Sequence, residues 1–566
     1  MIPPSWLKTV LVQVYKGNGD RSILADNYRH LHIKQDIPKV FGHMVMSVAK
    51  SHISKNLTKF QIGARAGHRP QEHLFVLKSV IGLYAHHRKS LFLTMWDISK
   101  FFDKENLRDV MNELYNLGVK GKIYRLIYQL NKNSLVSVKT PVGLTEECEI
   151  GEGVAQGSVE GASISAANLG NSVNDISKDS SDEVNFAGPL LYQDDVARLA
   201  DSVDSVRAGN VRMEALAESK LLDFNLKKSC YMIIGDKNSR DSLKDEMDEN
   251  PILLCNQLMP VQSESKYLGD WIAEGGLGDS VACTVKKRKG LAISSMYEIR
   301  CVIEVCRRRL CGGIQAGLDI WELAVLPMLL YNAECWTDIS KKTIDELEAI
   351  QRRFLKHLMA VGSGCPTPSL YWETGTLGIK WRILKSKLLF YHHIKTLPDS
   401  SLAKEVLDVQ ETLQLPGLYT ECCDFLWQNG ITDVKLFSKG QWKRLVRDKI
   451  LQMNEDELIE QSQQYKKLDF TGERFRRRNY IREMRIDEAR SMFKLRTNML
   501  PTVQMNFMSE SEFAANLWTC SGCTRRDSQE HLLTCPGYAD LRVGKNLEVD
   551  SDLVAYYRDI VKRRQD

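Results

Sequence analysis

A nearly continuous apolar run at residues 91–98 is the feature that most constrains the fold. The run reads Leu-Phe-Leu-Thr-Met-Trp-Asp-Ile and has the length of a single strand. Such a run favours a central strand that is buried on both faces. Its one acidic residue, Asp97, lies where the strand ends. A carboxylate in so apolar a place is costly, so a functional reason for it is expected.

Helical periodicity follows this run. Apolar residues at helical spacing occupy residues 107–117, with Asp103 as the expected N-cap and Gly118 as the expected stop. A second helix is expected at residues 123–130, and a hairpin at residues 135–150. Asp97 is therefore expected at a corner between a strand and a helix.

Two adjacent acids mark a second hairpin. Residues 188–200 comprise two short apolar strands joined through Gln193, Asp194 and Asp195, which places both acids on the turn. Residues 235–250 are rich in charge and are predicted to form a loop.

The composition is that of an ordinary globular protein. The 566 residues are 43% hydrophobic and 26% charged, which predicts three or four domains. Beyond residue 272 the pattern becomes mostly helical. The formal net charge is only +5, so a nucleic-acid surface has to come from local clusters of basic residues.

Cysteine usage and hydropathy bear on the compartment. Fourteen cysteines are scattered along a chain with no secretory start, which indicates a reducing compartment, either nucleus or cytoplasm or both. The most apolar stretch, residues 323–336, is interrupted by Pro327, Asn332 and Glu334 and is shorter than the roughly 18 residues of a membrane span. A buried helix is expected there, and no membrane contact.

Three acids at two strand ends are suited to nucleotidyl transfer. Asp97, Asp194 and Asp195 together could hold two Mg²⁺ ions about 3.5 to 4 Å apart, the arrangement that two-metal phosphoryl transfer requires. Clustered carboxylates repel one another unless cations neutralise them. An Asp-Asp pair in a turn is nevertheless common, so the pair alone is weak support.

Five segments, two of which contain these acids, give the acids a context. They resemble, in order, the reverse transcriptase motifs of non-LTR (LINE-type) retrotransposons. The segments are Asp97-Ile-Ser-Lys-Phe-Phe-Asp103, Gln156-Gly157-Ser158, Tyr192-Gln193-Asp194-Asp195, Asn225-Leu-Lys-Lys228-Ser229 and Tyr267-Leu268-Gly269. Upstream, the segments Lys16-Gly-Asn-Gly-Asp20, Asn27-Tyr28-Arg29 and Gln61-Ile-Gly63-Ala-Arg65 resemble the fingers of such enzymes.

The resemblance implies an α+β right-hand polymerase, with fingers, a palm built on an antiparallel sheet, and a helical thumb. An α-rich C-terminal region with a small zinc knuckle would follow. The implied boundaries are 1–272 for fingers and palm, 273–400 for the thumb, 401–515 for a basic α-rich region, 516–540 for the knuckle and 541–566 for a tail.

The resemblance also implies residue roles. Asp97, Asp194 and Asp195 would bind two Mg²⁺ or Mn²⁺ ions, and Lys228 would assist the pyrophosphate leaving group. The remaining substrate contacts would come from Phe102 against the sugar 2′-hydroxyl, from Gln156 and Gly157 near the template, from Tyr192, and from Arg29, Arg65 or Arg69 as phosphate clamps. For Phe102 the alternative is a core aromatic. For Lys228 the alternatives are a surface lysine and assignment of the role to the neighbouring Lys227.

Two departures from the family pattern stand out. The templating motif lacks both of its usual prolines and carries Glu160, an acid that is electrostatically awkward beside a nucleic-acid template. Gln193 stands where the family commonly has Ala. Neither departure removes a carboxylate of the predicted metal site.

Near the C-terminus, Cys520, Cys523, His531 and Cys535 have the spacing C-x2-C-x7-H-x3-C. Three sulfurs and one nitrogen are suited to a closed, tetrahedral, structural Zn²⁺ site. The segment also resembles the C-terminal CCHC region of non-LTR polyproteins. Chance spacing in a chain with fourteen cysteines is the alternative.

A basic run precedes this cluster. Residues 466–496 carry eleven Lys or Arg against five Asp or Glu, with Phe475 and Tyr480 interleaved. Cations supply phosphate affinity and aromatic rings stack on unpaired bases, so the run and the knuckle together are expected to bind the element's RNA. A solvated helix face is the alternative. Lys286-Lys-Arg-Lys289 and Arg307-Arg-Arg309 are weaker candidates for contacts with a primer–template duplex.

The expected function is RNA-directed DNA synthesis from a DNA primer on an RNA template with dNTPs. A non-enzymatic RNA-binding remnant is the rival, and a group II intron maturase is disfavoured by the zinc segment. No endonuclease is recognisable, so the chain is expected to be a fragment or truncated reading frame that depends on a separate nuclease.

Overall fold

The computed structural model describes residues 2–17, 20, 27–179, 188–306, 311–465, 468, 470, 473–497, 499, 520, 522–523, 525 and 529–565. These residues form two compact units. The first comprises Met1–Val281 and Ile394–Asp424, and the second comprises Ala282–His393 and Phe425–Asp566. The fold is a mixture of α and β structure, and every strand named below belongs to the first unit.

The strands, in chain order, are β1 (Lys8–Tyr15), β2 (Tyr28–Lys34), β3 (Leu91–Asp97), β4 (Ser134–Thr140), β5 (Gly143–Leu144), β6 (Cys148–Ile150), β7 (Pro189–Tyr192), β8 (Asp195–Ala200), β9 (Cys230–Ile234), β10 (Leu253–Leu254), β11 (Gln257–Leu258), β12 (Glu264–Tyr267) and β13 (Asp270–Ala273).

The α-helices are α1 (Asp36–Asn56), α2 (Pro70–His86), α3 (Phe101–Lys104), α4 (Leu107–Asn116), α5 (Gly121–Asn131), α6 (Gly161–Gly170), α7 (Val203–Ser219), α8 (Lys237–Glu249), α9 (Leu277–Cys306), α10 (Gly313–Ile320), α11 (Leu326–Leu329), α12 (Lys341–Met359), α13 (Thr367–Thr374), α14 (Ile379–Lys395), α15 (Leu402–Thr412), α16 (Leu418–Gln428), α17 (Lys439–Ser462), α18 (Asn479–Glu483), α19 (Ile486–Arg496), α20 (Gln529–Thr534) and α21 (Asp550–Gln565).

The sheet that carries the acids has four antiparallel strands in the order β7-β8-β3-β9. β3 lies between β8 and β9, and its residues from Leu91 to Trp96 are all buried. The predicted central strand is thereby confirmed. The apolar side chains of β3 and β8 pack into one core with helix α7, so the strand ends that bear the acids are anchored by the buried part of the sheet.

A second sheet has the order β2-β1-β4-β5, with β6 also pairing to β4. The predicted hairpin at residues 135–150 is confirmed, since β4 pairs antiparallel with both β5 and β6. Strand β1 runs parallel to β4 and antiparallel to β2. Helices α1, α4, α5 and α6 contribute to a separate apolar core of the same unit.

Two local predictions are wrong. The N-cap of the helix after β3 is Asn106, whose side chain accepts a hydrogen bond from Arg108 N, whereas Asp103 lies inside the short helix α3. The charged segment at 235–250 is not a loop but contains helix α8, which begins where the Asp236 carboxylate accepts a hydrogen bond from Ser239 N at 3.1 Å. α8 buries only Met247, so it lacks the apolar stripe by which helices are recognised.

The motif Tyr267-Leu268-Gly269 also differs from its expected form. Only Tyr267 belongs to a strand, and Leu268 and Gly269 form the turn between β12 and β13 with φ of 44° and 89°. The segment, which resembles the primer-grip strand of the family, is therefore the end of one strand followed by a tight hairpin turn. Both turn residues have positive φ, as two-residue hairpins require.

The described residues of the second unit form helices and the loops that join them, with no named strand. The apolar stretch at 323–336 is three short pieces rather than one helix: part of a π-helical turn (Trp321–Val325), helix α11, and a 3₁₀ turn (Ala333–Cys335). Pro327 lacks the N–H that would continue the α-helical ladder. Among the described residues, no helix combines the length and the apolar character needed to cross a bilayer.

Candidate functional site

The fold brings the three predicted acids to one edge of the four-stranded sheet. Asp97 is the last residue of β3 and lies directly opposite Asp195, the first residue of β8. Asp194 precedes it in the turn from β7. The carboxylates thus come from two adjacent strands whose register is set by the buried core below them.

The electrostatics of this edge are those of crowded acids. The pKa of Asp195 is raised to about 6, first by burial and then by the charges of Asp194 and Asp97. The pKa of Asp194 is also raised by burial and by Asp97, against a lowering contribution from Arg29. Like charges that raise one another's pKa stabilise bound cations. The donor set therefore fits Mg²⁺ or Mn²⁺.

The acidic edge differs from a closed metal cage. Among the described residues, only the cysteine-histidine cluster brings at least three potential ligands all within 4.8 Å of one another. The three carboxylates are a more open set. Mg²⁺ bound by one or two carboxylates keeps positions for water and for substrate phosphates, so openness is what a substrate-binding metal site needs.

The segment Asn225–Ser229 wraps the end of β3. Asn225 N donates to Asp97 O at 2.8 Å, and Asp97 N donates to Ser229 Oγ at 3.0 Å. Ser229 is fully buried. Lys228 Nζ lies 3.8 Å from Asp97 Oδ2 and is largely exposed. The conformation of Asp97 is thus fixed by its backbone neighbours, while Lys228 remains reachable from solvent.

Ser229 is a site residue whose role the sequence did not reveal. It was recognisable only as the last position of a motif. Its hydroxyl accepts the hydrogen bond from the one N–H of Asp97, and this link joins residues far apart in the sequence. A spacing pattern carries no information on that contact.

Phe102 follows Asp97 by five residues and lies in helix α3. It is partly buried, it packs against the core of the sheet, and its ring meets that of Phe101 edge-on at 5.7 Å. It also lines a cavity of about 240 Å³ together with His30, His32 and Asp103. Both its proposed role and the alternative of a core aromatic are consistent with this position.

The templating segment lies against strand β2. Gln156 O accepts a hydrogen bond from His32 N at 2.8 Å. Gly157 has φ of +93°, a conformation that residues with a Cβ rarely adopt. Glu160 is buried and forms an ion pair with the equally buried Lys34. The charge of Glu160 is therefore compensated inside the protein, which removes the electrostatic conflict that the sequence suggested.

Of the other predicted substrate contacts, Tyr192 and Arg29 act electrostatically with the acids, whereas Arg65 and Arg69 make different contacts. Tyr192 ends β7, and its pKa is raised by burial and by Asp195. Arg29 on β2 is exposed, and its charge acts on Asp194. Arg65 instead turns inward, where its two terminal nitrogens donate to the carbonyls of residues 54, 58 and 61. Arg69 caps helix α2 through its backbone, and no described contact joins it to the acids.

The four predicted zinc ligands lie together. Cys523 Sγ is 3.1 Å from His531 Nε2, and Cys535 Sγ is 3.6 Å from the sulfurs of both Cys520 and Cys523. Burial and the neighbouring thiols raise the pKa of Cys535 to about 11. A tetrahedral metal that binds thiolates would be held by thiols packed so closely. The set fits Zn²⁺.

The basic run is only partly available for binding. Arg478 and Arg496 pair with the buried Glu373, and Arg477 pairs with acids of α10 and the following turn. Tyr480 is also buried, with its hydroxyl 2.9 Å from Glu373 Oε2, so the expectation that it stacks on bases is wrong. The exposed arginines of the run are Arg474, Arg476, Arg482 and Arg485. Lys466, Lys467 and Arg307-Arg-Arg309 lie outside the described residues, as do Asn18 and Gly19 of the fingers segment.

No protein-family model matches the sequence, and no curated protein matches it. Among solved structures, the chain is similar to telomerase from Candida albicans in complex with a fragment of telomeric RNA, at a TM-score of 0.37 and 11% identity over 77% of this chain and 66% of that one. It is also similar to apo telomerase from Candida tropicalis, at 0.36 and 9% over 71% and 63%, and to a C-terminally truncated form, at 0.34 and 11% over 48% and 54%.

The chain thus spans about half to two thirds of the length of these telomerase chains. With TM-scores below 0.5 and identities near one tenth, the similarity carries no argument about what this chain does.

Proposed function

We propose that this protein is a metal-dependent, RNA-directed DNA polymerase of the non-LTR retrotransposon type. The observation that carries the proposal is the placement of Asp97, Asp194 and Asp195 at the ends of two paired antiparallel strands, where burial and the neighbouring acids raise the pKa values of Asp194 and Asp195. Two-metal phosphoryl and nucleotidyl transfer uses such a set of carboxylates, and the motifs around these acids resemble, in order, those of non-LTR reverse transcriptases.

The metal-binding residues would be these three carboxylates. Bound Mg²⁺ or Mn²⁺ would supply charge neutralisation on the phosphoryl oxygens and would lower the pKa of the attacking 3′-hydroxyl. Asp97 would contribute through a backbone that Asn225 and Ser229 hold in place. Asp194 and Asp195 would contribute through the turn between β7 and β8.

The substrate would be oriented by the residues around this edge. Phe102 would exclude a ribose 2′-hydroxyl, and Gln156 and Gly157 would support the templating base pair. Lys228, exposed and 3.8 Å from Asp97, would approach the departing pyrophosphate. Arg29 would bind the triphosphate, since its charge already acts on Asp194.

The proposed division of the chain follows from this function. Residues 1–272 would be fingers and palm, 273–400 the thumb, and 401–515 a region that binds RNA through its exposed arginines. A structural zinc knuckle at 516–540 and a tail at 541–566 would follow.

Primer extension tests the proposal. Purified wild-type protein is expected to extend oligo(dT) on poly(rA) with dTTP in the presence of Mg²⁺, and Asp194→Asn is expected to abolish extension. Asp245→Asn, which changes an exposed acid on helix α8, is the matched control and should retain full activity. Folded wild-type protein that binds RNA but extends no primer would instead assign the rival function, an RNA-binding remnant without turnover.

A further inference from the structure

The turn that carries Asp194 and Asp195 is held by a residue from a distant part of the chain. Gln61 is fully buried, and its side-chain amide contacts both polar groups of the Gln193 backbone. Gln61 Oε1 accepts a hydrogen bond from Gln193 N at 3.0 Å, and Gln61 Nε2 donates to Gln193 O at 3.2 Å. The amide therefore pairs with Gln193 as a neighbouring strand would.

Gln193 needs this support because of its conformation. Its φ is +60°, in the left-handed region that a residue with a side chain rarely adopts. Such a conformation persists where surrounding contacts over-determine it. Because Gln193 immediately precedes Asp194, a change of its φ and ψ would displace both carboxylates.

The segment around Gln61 is itself fixed to strand β7. Leu191 N donates to Phe60 O at 2.9 Å, and Ile62 N donates to Leu191 O at 3.2 Å. A Cβ at Gly63 would lie 2.4 Å from Gln193 N, so no other residue fits at that position. The same Gln61 Oε1 also accepts a hydrogen bond from Gly63 N at 2.9 Å.

A buried histidine completes the attachment. His73, from helix α2, places Nε2 at 2.9 Å from Phe60 O and at 3.0 Å from Leu191 O. Burial lowers the pKa of His73 to about 4, so the ring is neutral near pH 7 and donates through Nε2–H. One imidazole thus joins the segment of Gln61 to the strand that leads into the turn.

We propose that Gln61 is a positioning residue for metal binding: by fixing the left-handed backbone of Gln193, and with Gly63 and His73 fixing Gln61, it holds the Asp194 and Asp195 carboxylates in the geometry that two cations require. The inference rests on the proposed metal-binding function of these acids. Outer residues that orient metal ligands typically contribute 10- to 100-fold in metal affinity.

The test is Mn²⁺ binding measured by electron paramagnetic resonance, with and without dTTP, alongside Mg²⁺-dependent primer extension. For Gln61→Ala we expect about a 10- to 100-fold weaker Mn²⁺ affinity, a matching rise in the Mg²⁺ concentration for half-maximal activity, and recovery of rate at high Mg²⁺. The KM for dTTP at saturating Mg²⁺ should be unchanged. Gln129→Ala, at an exposed position of helix α5, is the control and should leave every parameter unaltered.

Gln61→Glu distinguishes positioning from simple loss of structure. The carboxylate can still accept from Gln193 N and Gly63 N but cannot donate to Gln193 O, so Mn²⁺ affinity should lie between those of wild type and Gln61→Ala. Unchanged Mn²⁺ affinity in a folded Gln61→Ala protein would overturn the inference, and so would a loss of rate that high Mg²⁺ does not restore. Wild-type protein that binds Mn²⁺ without extending primers would refute polymerase activity alone and leave the affinity comparison decisive for Gln61.

Discussion

Replacement of Glu105 is expected to change how the stability of the protein depends on pH. The Glu105 carboxyl is fully buried behind the acidic edge, where Asn168 Nδ2 donates to Oε1 at 3.0 Å and the Ser165 hydroxyl bonds to Oε2. Burial raises its pKa from 4.5 to about 8, and the two hydrogen bonds only partly oppose this. The folded protein therefore keeps a proton on Glu105 at neutral pH.

The sign and size of the effect follow from proton linkage. Between the unfolded pKa of 4.5 and the folded pKa of about 8, the folded state binds one more proton than the unfolded state. Stability from this group is full below pH 4.5 and is lost as pH rises through 8. The shift corresponds to at most about 5 kcal/mol at 1.36 kcal/mol per pKa unit.

Glu105→Gln imitates the protonated carboxyl. The amide can donate to Ser165 Oγ and accept from Asn168 Nδ2, and it does not ionise. The free energy of unfolding in urea, measured from pH 5.5 to 9, should fall with pH in wild type relative to Glu105→Gln by about 2 to 3 kcal/mol. Glu149→Gln, an exposed position on β6, should follow the wild-type curve. Parallel curves for wild type and Glu105→Gln would refute the assignment of a buried, protonated carboxyl.

Three shorter predictions concern individual contacts. Ser229→Ala leaves the Asp97 N–H without its acceptor, so it should destabilise the protein by about 1 to 3 kcal/mol and lower kcat in primer extension. Ser229→Thr should preserve both stability and kcat. Equal kcat values for Ser229→Ala and wild type would contradict the role of this contact. Phe102→Val should raise incorporation of rNTP relative to dNTP by about tenfold or more, measured as the ratio of kcat/KM values, and an unchanged ratio would mean that Phe102 is only a core aromatic. The double change Cys520→Ser and Cys523→Ser should remove stoichiometric zinc, as measured by atomic absorption. The site would be refuted if wild-type protein contained no zinc and bound none when zinc was added.

The sequence predicts those parts of the fold that depend on apolar patterns among neighbouring residues. The strand ending at Asp97 and the hairpin of Asp194 and Asp195 were predictable because an apolar run and a pair of short runs need only short-range information. The structure confirms both, and their register brings Asp97 opposite Asp195. Helix α8 was not predictable in this way, since it buries only Met247 and so resembles a charged loop.

The parts that sequence reasoning missed depend on contacts between distant residues. Glu160 is compensated by Lys34, 126 positions away, and no spacing encodes that pair. Arg65 was predicted as a phosphate clamp from the motif and its residue type, but its guanidinium donates to the carbonyls of residues 54, 58 and 61. The motif containing Gln61 was visible in the sequence, whereas its contact with the Gln193 backbone became apparent only when the chain was folded.

The choice of helix cap shows the same limit on a small scale. Asp103 and Asn106 are both good N-cap residues, three positions apart. Asp103 lies inside the short helix α3, so Asn106 is the residue that caps α4. The basic run likewise reads as a binding surface in sequence. Its arginines Arg477, Arg478 and Arg496 are instead partners of acids within the second unit.

The most direct test of the central claim is incorporation of a single nucleotide on an RNA template of mixed sequence. With Mg²⁺ and a DNA primer, wild-type protein is expected to add only the dNTP complementary to the next template base, for each of the four bases in turn. Asp97→Asn and Asp194→Asn should abolish the addition while circular dichroism remains that of wild type. Addition that is independent of Mg²⁺, indifferent to the template base, or retained by both variants would contradict the account.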